Sequence, residues 1–106
     1  MLDQGVIVAL GTDFNPNAFC LSMPLVMHLA AVNLRMSLSE TLAASTINSA
    51  HSIGRSKSHG SIEIGKFADL LVLKTPKWEH LIYQLGGYDQ VIDYVIKKGS
   101  VVVKNV

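Results

Sequence analysis

Asp13 closes the apolar run Val6-Ile7-Val8-Ala9-Leu10-Gly11-Thr12 with a carboxylate, and Phe14-Asn15-Pro16-Asn17 follows at once. An acid at the C-terminal tip of a buried parallel strand is placed to hold a metal ion or carry a proton. Equally, an Asp in a loop can cap it by accepting backbone N–H bonds. The residues alone leave both readings open. The histidines, His28, His51, His59 and His80, form no His-x-His pair, and no two share the i,i+4 spacing of a helical zinc motif. A catalytic metal needs about three protein ligands, and this chain offers one good candidate. His28 and His51 fall on predicted helices and read as hydrogen-bonded or surface groups; His59 and His80 are expected to face solvent. Cys20 has no acid or histidine near it in sequence and reads as a packed thiol. Gly11-Thr12-Asp13 lacks the lysine and glycine spacing of a phosphate loop. Met23, Met27 and Met36 read as core filler, and Trp78, Tyr83 and Tyr88 as packing groups. Asp69, at the head of an apolar strand, is expected to be a structural acid bonding backbone at a turn.

The elements that must position Asp13 can be read from period and punctuation. Residues 6–10 are continuously apolar, which suits a strand buried on both faces. A polar loop spans 11–21. Ser22 as cap and Pro24 in the first turn predict a helix to about Arg35, apolar nearly all round. Ser37-Leu38-Ser39-Glu40 is a capping box that starts a second helix, running through Ala50 to Gly54, with Leu42, Ile47, Ala50 and Ile53 as its apolar stripe. Its small residues predict close packing. Residues 55–60 read as a polar linker. Beyond it Ile62-Glu63-Ile64 alternates, Gly65-Lys66 turns, and Ala68–Leu73 reads as a strand. A short helix fits around Trp78–Leu85, before Gly86-Gly87. Residues 91–97 and 100–104 read as a hairpin with Gly99 supplying positive φ.

With 106 residues the chain is long enough for one small core but far short of the roughly 250 of a whole barrel. It is 49% hydrophobic and 16% charged, apolar for its size, which predicts faces covered by further protein or a partner. Nine basic and eight acidic residues give a net charge of +1. With no basic cluster or aromatic-arginine stripe, no nucleic-acid partner is expected. No apolar run approaches the about 20 residues of a bilayer span, so no membrane partner is expected. Asp3 near the start, in place of a basic leader, argues against a signal peptide, and the single Cys20 fits a reducing compartment. The expected location is the cytosol. Met1 opens almost directly onto the strand, as a fragment or a product of internal initiation would.

Two stretches resemble a known superfamily. Gly60-Ser61-Ile62-Glu63-Ile64-Gly65-Lys66-Phe67-Ala68-Asp69-Leu70-Leu71-Val72-Leu73 resembles the G-x-I-x-x-G-x-x-A-D-L-x-V-x segment of the amidohydrolase superfamily, and Thr46-Ile47-Asn48-Ser49-Ala50-His51-Ser52-Ile53-Gly54 resembles the helix before it. Within the superfamily, Gly11-Thr12-Asp13-Phe14-Asn15-Pro16 is similar to the loop after the eighth barrel strand of the imidazolonepropionases. The resemblance covers essentially the whole chain. Its one departure is Asn17-Ala18, where family members often carry Gly then Ser.

The resemblance implies an α/β fold: residues 1–56 as the last strand and C-terminal helices of a (β/α)8 barrel, and 57–106 as part of a small β-sandwich. It implies a parent that hydrolyses 4-imidazolone-5-propanoate, a small-molecule partner, to N-formimidoyl-L-glutamate with one divalent Zn or Fe, and that forms a homodimer. Asp13 would be metal ligand and proton shuttle, while Asn15, Asn17 and Ala18 would bind substrate. The remaining histidine ligands are absent from these residues, so the chain alone is expected to be inactive. The rival readings are another amidohydrolase, of deaminase or dihydroorotase type, and a non-catalytic truncated product.

Overall fold

The computed structural model of the chain describes residues 5–17, 20–83 and 91–104. Four helices and three strands follow in the order α1 (Met23–Val32), α2 (Leu38–Ser45), α3 (Ile47–Ser52), β1 (Leu70–Leu73), α4 (His80–Tyr83), β2 (Ile92–Lys97) and β3 (Ser100–Lys104). The result is an α/β arrangement in which a helical unit precedes an antiparallel sheet.

Local chemistry sets the helix ends. The Ser22 hydroxyl accepts from the Leu25 N–H at 3.2 Å and starts α1, with Pro24 in its first turn. The helix stops at Val32, three residues before the expected Arg35, which instead takes φ 56°. At α2 the capping box is complete: Glu40 N–H donates to Ser37 Oγ at 3.1 Å, and Ser37 N–H donates to Glu40 Oε1 at 2.9 Å. The second of these holds the Glu40 carboxyl below its ordinary pKa. Ser37→Ala should therefore cost about 1 kcal/mol in a urea unfolding midpoint. An unchanged midpoint would mean the box contributes nothing to stability.

The expected single helix from Ser37 to Gly54 is broken at Thr46 (φ −119°, ψ −91°). Three hydroxyl bonds turn back onto the ladder there: Ser45 Oγ to the carbonyls of Thr41 and Leu42, and Thr46 Oγ1 to that of Leu42 at 2.6 Å. Such bonds compete with the regular ladder. The break also changes which side is buried. Thr41 and Ala44 are buried, whereas Leu42 and Ile53 of the expected stripe are exposed. Helix α3 ends in a Schellman motif, with Gly54 (φ 74°) donating to His51 O and Arg55 N–H to Ala50 O at 2.8 Å.

The core is modest. Ala30, Met36 and Ala44 form a buried cluster against which Val8 and Leu10 pack. Ile82 of α4 is 1% exposed and Thr41 is fully buried, its hydroxyl donating to Ser37 O. Small residues at Ala30 and Ala44 let α1 and α2 approach closely, as their composition predicts. Met27 and Met36 are core residues.

The sheet has the order β1-β2-β3, all antiparallel, so the late strand β2 is central. The predicted hairpin is present, with Lys98 (φ 50°) and Gly99 (φ 83°) forming its two-residue turn. Ile62-Glu63-Ile64 forms no strand; both isoleucines are exposed. Leu71, Val72, Val101, Val102 and Val103 are each two-fifths or more exposed. The predicted C-terminal end of the Trp78–Leu85 helix, with Gly86-Gly87 and Tyr88, lies outside the described residues.

Candidate functional site around Asp13

The segment before Asp13 forms no paired strand among the described residues, and it is not buried on both faces as expected. Val6 is 46% and Ile7 71% exposed, while Val8, Leu10 and Thr12 are half-buried and Ala9, Gly11 and Asp13 exposed. That alternation is the period of a strand with one covered side. The cover is the helical unit. Leu10 N–H donates to Ala44 O at 2.9 Å, Ser49 Oγ donates to Leu10 O at 2.6 Å, and Asn48 Nδ2 donates to Val8 O at 3.1 Å.

Asp13 sits at φ 52°, a left-handed conformation that Asp tolerates better than most residues. Its side chain is exposed, and no hydrogen bond or ion pair reaches its carboxylate among the described residues. The loop is capped by Asn15 instead. Asn15 Nδ2 donates to the Asp13 carbonyl at 2.6 Å, and Asn15 Oδ1 accepts from the Asn17 N–H at 2.9 Å, an Asx turn. The structure thus brings Asp13, Asn15 and Asn17 together on one exposed turn; Ala18 lies outside the described residues. Nothing in the composition of the loop distinguished Asp13 from Asn15 as its cap. That choice depends on which side chain curls back over the turn.

The histidines do not converge on Asp13. His28 Nδ1 lies 3.1 Å from Ile82 O and ties α1 to α4. His51 lies 3.4 Å from Ser56 Oγ at the surface. His59 corrects the expectation of a solvent-facing group: its ring packs on Phe67 with centroids 5.0 Å apart, and Nε2 lies 3.6 Å from Asp69. His80 is half-buried in α4. Among the described residues no three His, Cys, Asp or Glu side chains gather closely enough to hold a metal ion. Cys20 is half-buried, with Sγ 3.8 Å from Ser22 O.

Asp69 has the structural role expected of it. It accepts from Lys97 Nζ at 2.7 Å and from the Lys98 N–H at 2.9 Å, while Gly99 N–H bonds Ala68 O. The hairpin turn is thereby fastened to the head of β1. The Lys97 ammonium first, and the Lys98 N–H second, hold the Asp69 carboxyl below its ordinary pKa. A carboxyl with a lowered folded pKa adds stability above the unfolded value of about 3.9 and loses it as pH falls through the folded value. Asp69→Asn should therefore destabilise the chain at pH 6, and the difference from wild type should be smaller at about pH 3, below the unfolded value. Urea midpoints at the two pH values measure it; a pH-independent difference would contradict the account.

Comparisons with known proteins fit this geometry. The bovine protein named "Probable imidazolonepropionase" is 64% identical over 104 residues, covering 98% of this chain and 24% of the relative. The human protein of the same name is 62% identical over the same length, and that of Dictyostelium discoideum 54% over 105 residues. The chain spans about a quarter of the length of these relatives. Among solved structures, an amidohydrolase from Thermotoga maritima superposes with a TM-score of 0.73 at 30% identity, covering 97% of this chain and 24% of that one. Escherichia coli guanine deaminase superposes at 0.75 over 98% of this chain and 29% of its own, but at 22% identity that likeness speaks for the fold alone. Residues 1–102 match the Amidohydrolase family, and with its Asp13 turn and the sheet that follows, the chain belongs to that family.

Proposed function

We propose that this chain is the Asp13-bearing quarter of an imidazolonepropionase, which hydrolyses 4-imidazolone-5-propanoate to N-formimidoyl-L-glutamate in histidine degradation. The observation that carries the reading is the 64% identity over 104 residues to the bovine "Probable imidazolonepropionase". On this reading residues 1–56 supply the last strand and helices of a (β/α)8 barrel, and 57–106 part of the adjoining β-sandwich. The alternating exposure of residues 7–13 supports it, because the open side of that segment suits further barrel strands.

Asp13 fits one place in a metal site: its carboxylate is exposed and has no protein partner among the described residues. On this reading the other ligands belong to the rest of the parent enzyme; among the described residues no three His, Cys, Asp or Glu side chains gather closely enough to hold a metal ion. A bound divalent Zn or Fe ion supplies a water made acidic enough to attack at neutral pH. Asp13 would help hold the ion through its carboxylate and would carry a proton from the attacking water to the departing ring nitrogen, as general base and then general acid. Asn15 and Asn17 line the turn beside it, with Ala18 next in the chain. Beside its bonds to Asp13 O and Asn17 N–H, the Asn15 amide keeps a second N–H and a second Oδ1 lone pair with which to bind substrate.

The test is a chimera: the bovine relative with its matching segment replaced by this chain. It should turn over 4-imidazolone-5-propanoate, and the isolated chain should not. An inactive chimera beside an active bovine parent would sink the assignment, and turnover by the isolated chain would overturn the requirement for outside ligands.

A further inference from the structure

We infer that Asn48 and Ser49 of α3 are positioning residues for Asp13: by holding the carbonyls of Val8 and Leu10 they fix the height and direction at which the segment presents its terminal carboxylate. The inference rests on the proposed function, in which Asp13 is a metal ligand and proton carrier.

The support of the segment begins at Thr46. The helix breaks there, and the Ala44 carbonyl accepts from the Leu10 N–H at 2.9 Å, with Ser49 Oγ 2.6 Å away. Ser49 Oγ also lies 2.6 Å from Leu10 O. One hydroxyl, one carbonyl and one peptide group of residue 10 therefore close a small polar cluster three residues before Asp13. Two residues further back, Asn48 Nδ2 reaches Val8 O at 3.1 Å.

Val8 and Leu10 are two apart, so these bonds grip one side of the segment at successive repeats. A second grip fixes direction as well as position. The side chains of Val8 and Leu10 pack on Ala30, Met36 and Ala44, so the polar grip and the apolar seat act on the same residues. Neither Asn48 nor Ser49 needs to touch substrate. Side chains of both types compete for backbone groups; here Asn48 reaches Val8 O and Ser49 reaches Leu10 O, both in the segment that carries Asp13.

Asn48→Ala and Ser49→Ala in the chimera, loaded with Co²⁺ or Zn²⁺, test this. Ser37→Ala is the control, because it weakens the same helical unit while leaving the side-chain bonds to Val8 and Leu10 in place. The double variant should lose about tenfold or more in kcat with KM little changed, since misplacing a reacting group by a fraction of an ångström weakens the step rather than binding. Its Co²⁺ absorption bands should shift and its metal retention after dialysis should fall. Ser49→Thr, which keeps the hydroxyl, should restore the bands, and Ser37→Ala should leave them unchanged. If the double variant matches Ser37→Ala in kcat, bands and metal retention, Asn48 and Ser49 only stabilise the fold and the inference is wrong. If the wild-type chimera binds Co²⁺ but does not hydrolyse the imidazolone, the functional reading fails while the band shift still decides the positioning role.

Discussion

Asp13→Asn in the chimera is expected to lower kcat/KM by about 10³-fold or more while leaving the melting temperature within a few degrees of wild type. The size follows from two losses on one side chain. The amide is a poor metal ligand compared with a carboxylate, and it cannot carry the proton from water to leaving nitrogen, a role worth about 10²–10⁴-fold by itself. The small effect on stability follows from the surroundings: Asp13 is exposed, and its carboxylate has no hydrogen-bond or ion-pair partner among the described residues. The bond from the Asn15 side-chain amide to the Asp13 carbonyl survives the change. Steady-state kinetics with calorimetry on the same preparation separate the two effects. Activity within tenfold of wild type would remove Asp13 from the chemistry, whereas a large drop in melting temperature would make it a structural residue.

The largest stability effect should come from Gly60→Ala. Gly60 joins the helical unit to the sheet at φ 97°, and a methyl placed on it would lie 2.8 Å from Ala50 Cβ and from Ile47 Cα, and 3.1 Å from Thr46 O. Two of those three atoms are backbone and the third is a buried methyl group, so none can swing aside. Backbone strain and overpacking each cost about 1–3 kcal/mol. Together they should lower the melting temperature by more than about 10 °C. By contrast, a methyl on Gly65 meets nothing within 4 Å, so Gly65→Ala isolates the cost of positive φ alone. Equal losses at the two positions would show that the contact with α3 does not matter.

What could be read in advance divides by range. Ser22 with Pro24, Ser37 with Glu40, and Lys98-Gly99 mark their elements because the cap or turn is made within four residues. Asp69 was legible as a turn acid from its place at the head of an apolar strand, although its partners, Lys97 and Lys98, stand nearly thirty residues away. The break at Thr46 was not, because an apolar period that continues through it gives no sign that Ser45 and Thr46 will turn their hydroxyls onto Thr41 and Leu42. His59 was misread as free because its partners, Phe67 and Asp69, meet it only once the linker folds back. Within the site, the strand-like run and Asp13 stood out in the sequence. Asn15 as the cap of the turn, and Asn48 and Ser49 as its support, depend on contacts that the sequence does not pair.

The central place of β2 sets an order of events in synthesis. β1 leaves the ribosome some twenty residues before the strand it pairs with, and α4 lies between them. Until residues 92–97 emerge, Leu71 and Val72 have no described strand to join, so the sheet cannot nucleate from its N-terminal side. The hairpin of β2 and β3, closed by two residues, is the local step, and the docking of β1 onto it is the slower, longer loop closure. A premature stop before Ile92 would therefore remove the whole sheet, not one strand of it, and would leave the Asp69 carboxylate without the lysines that hold it.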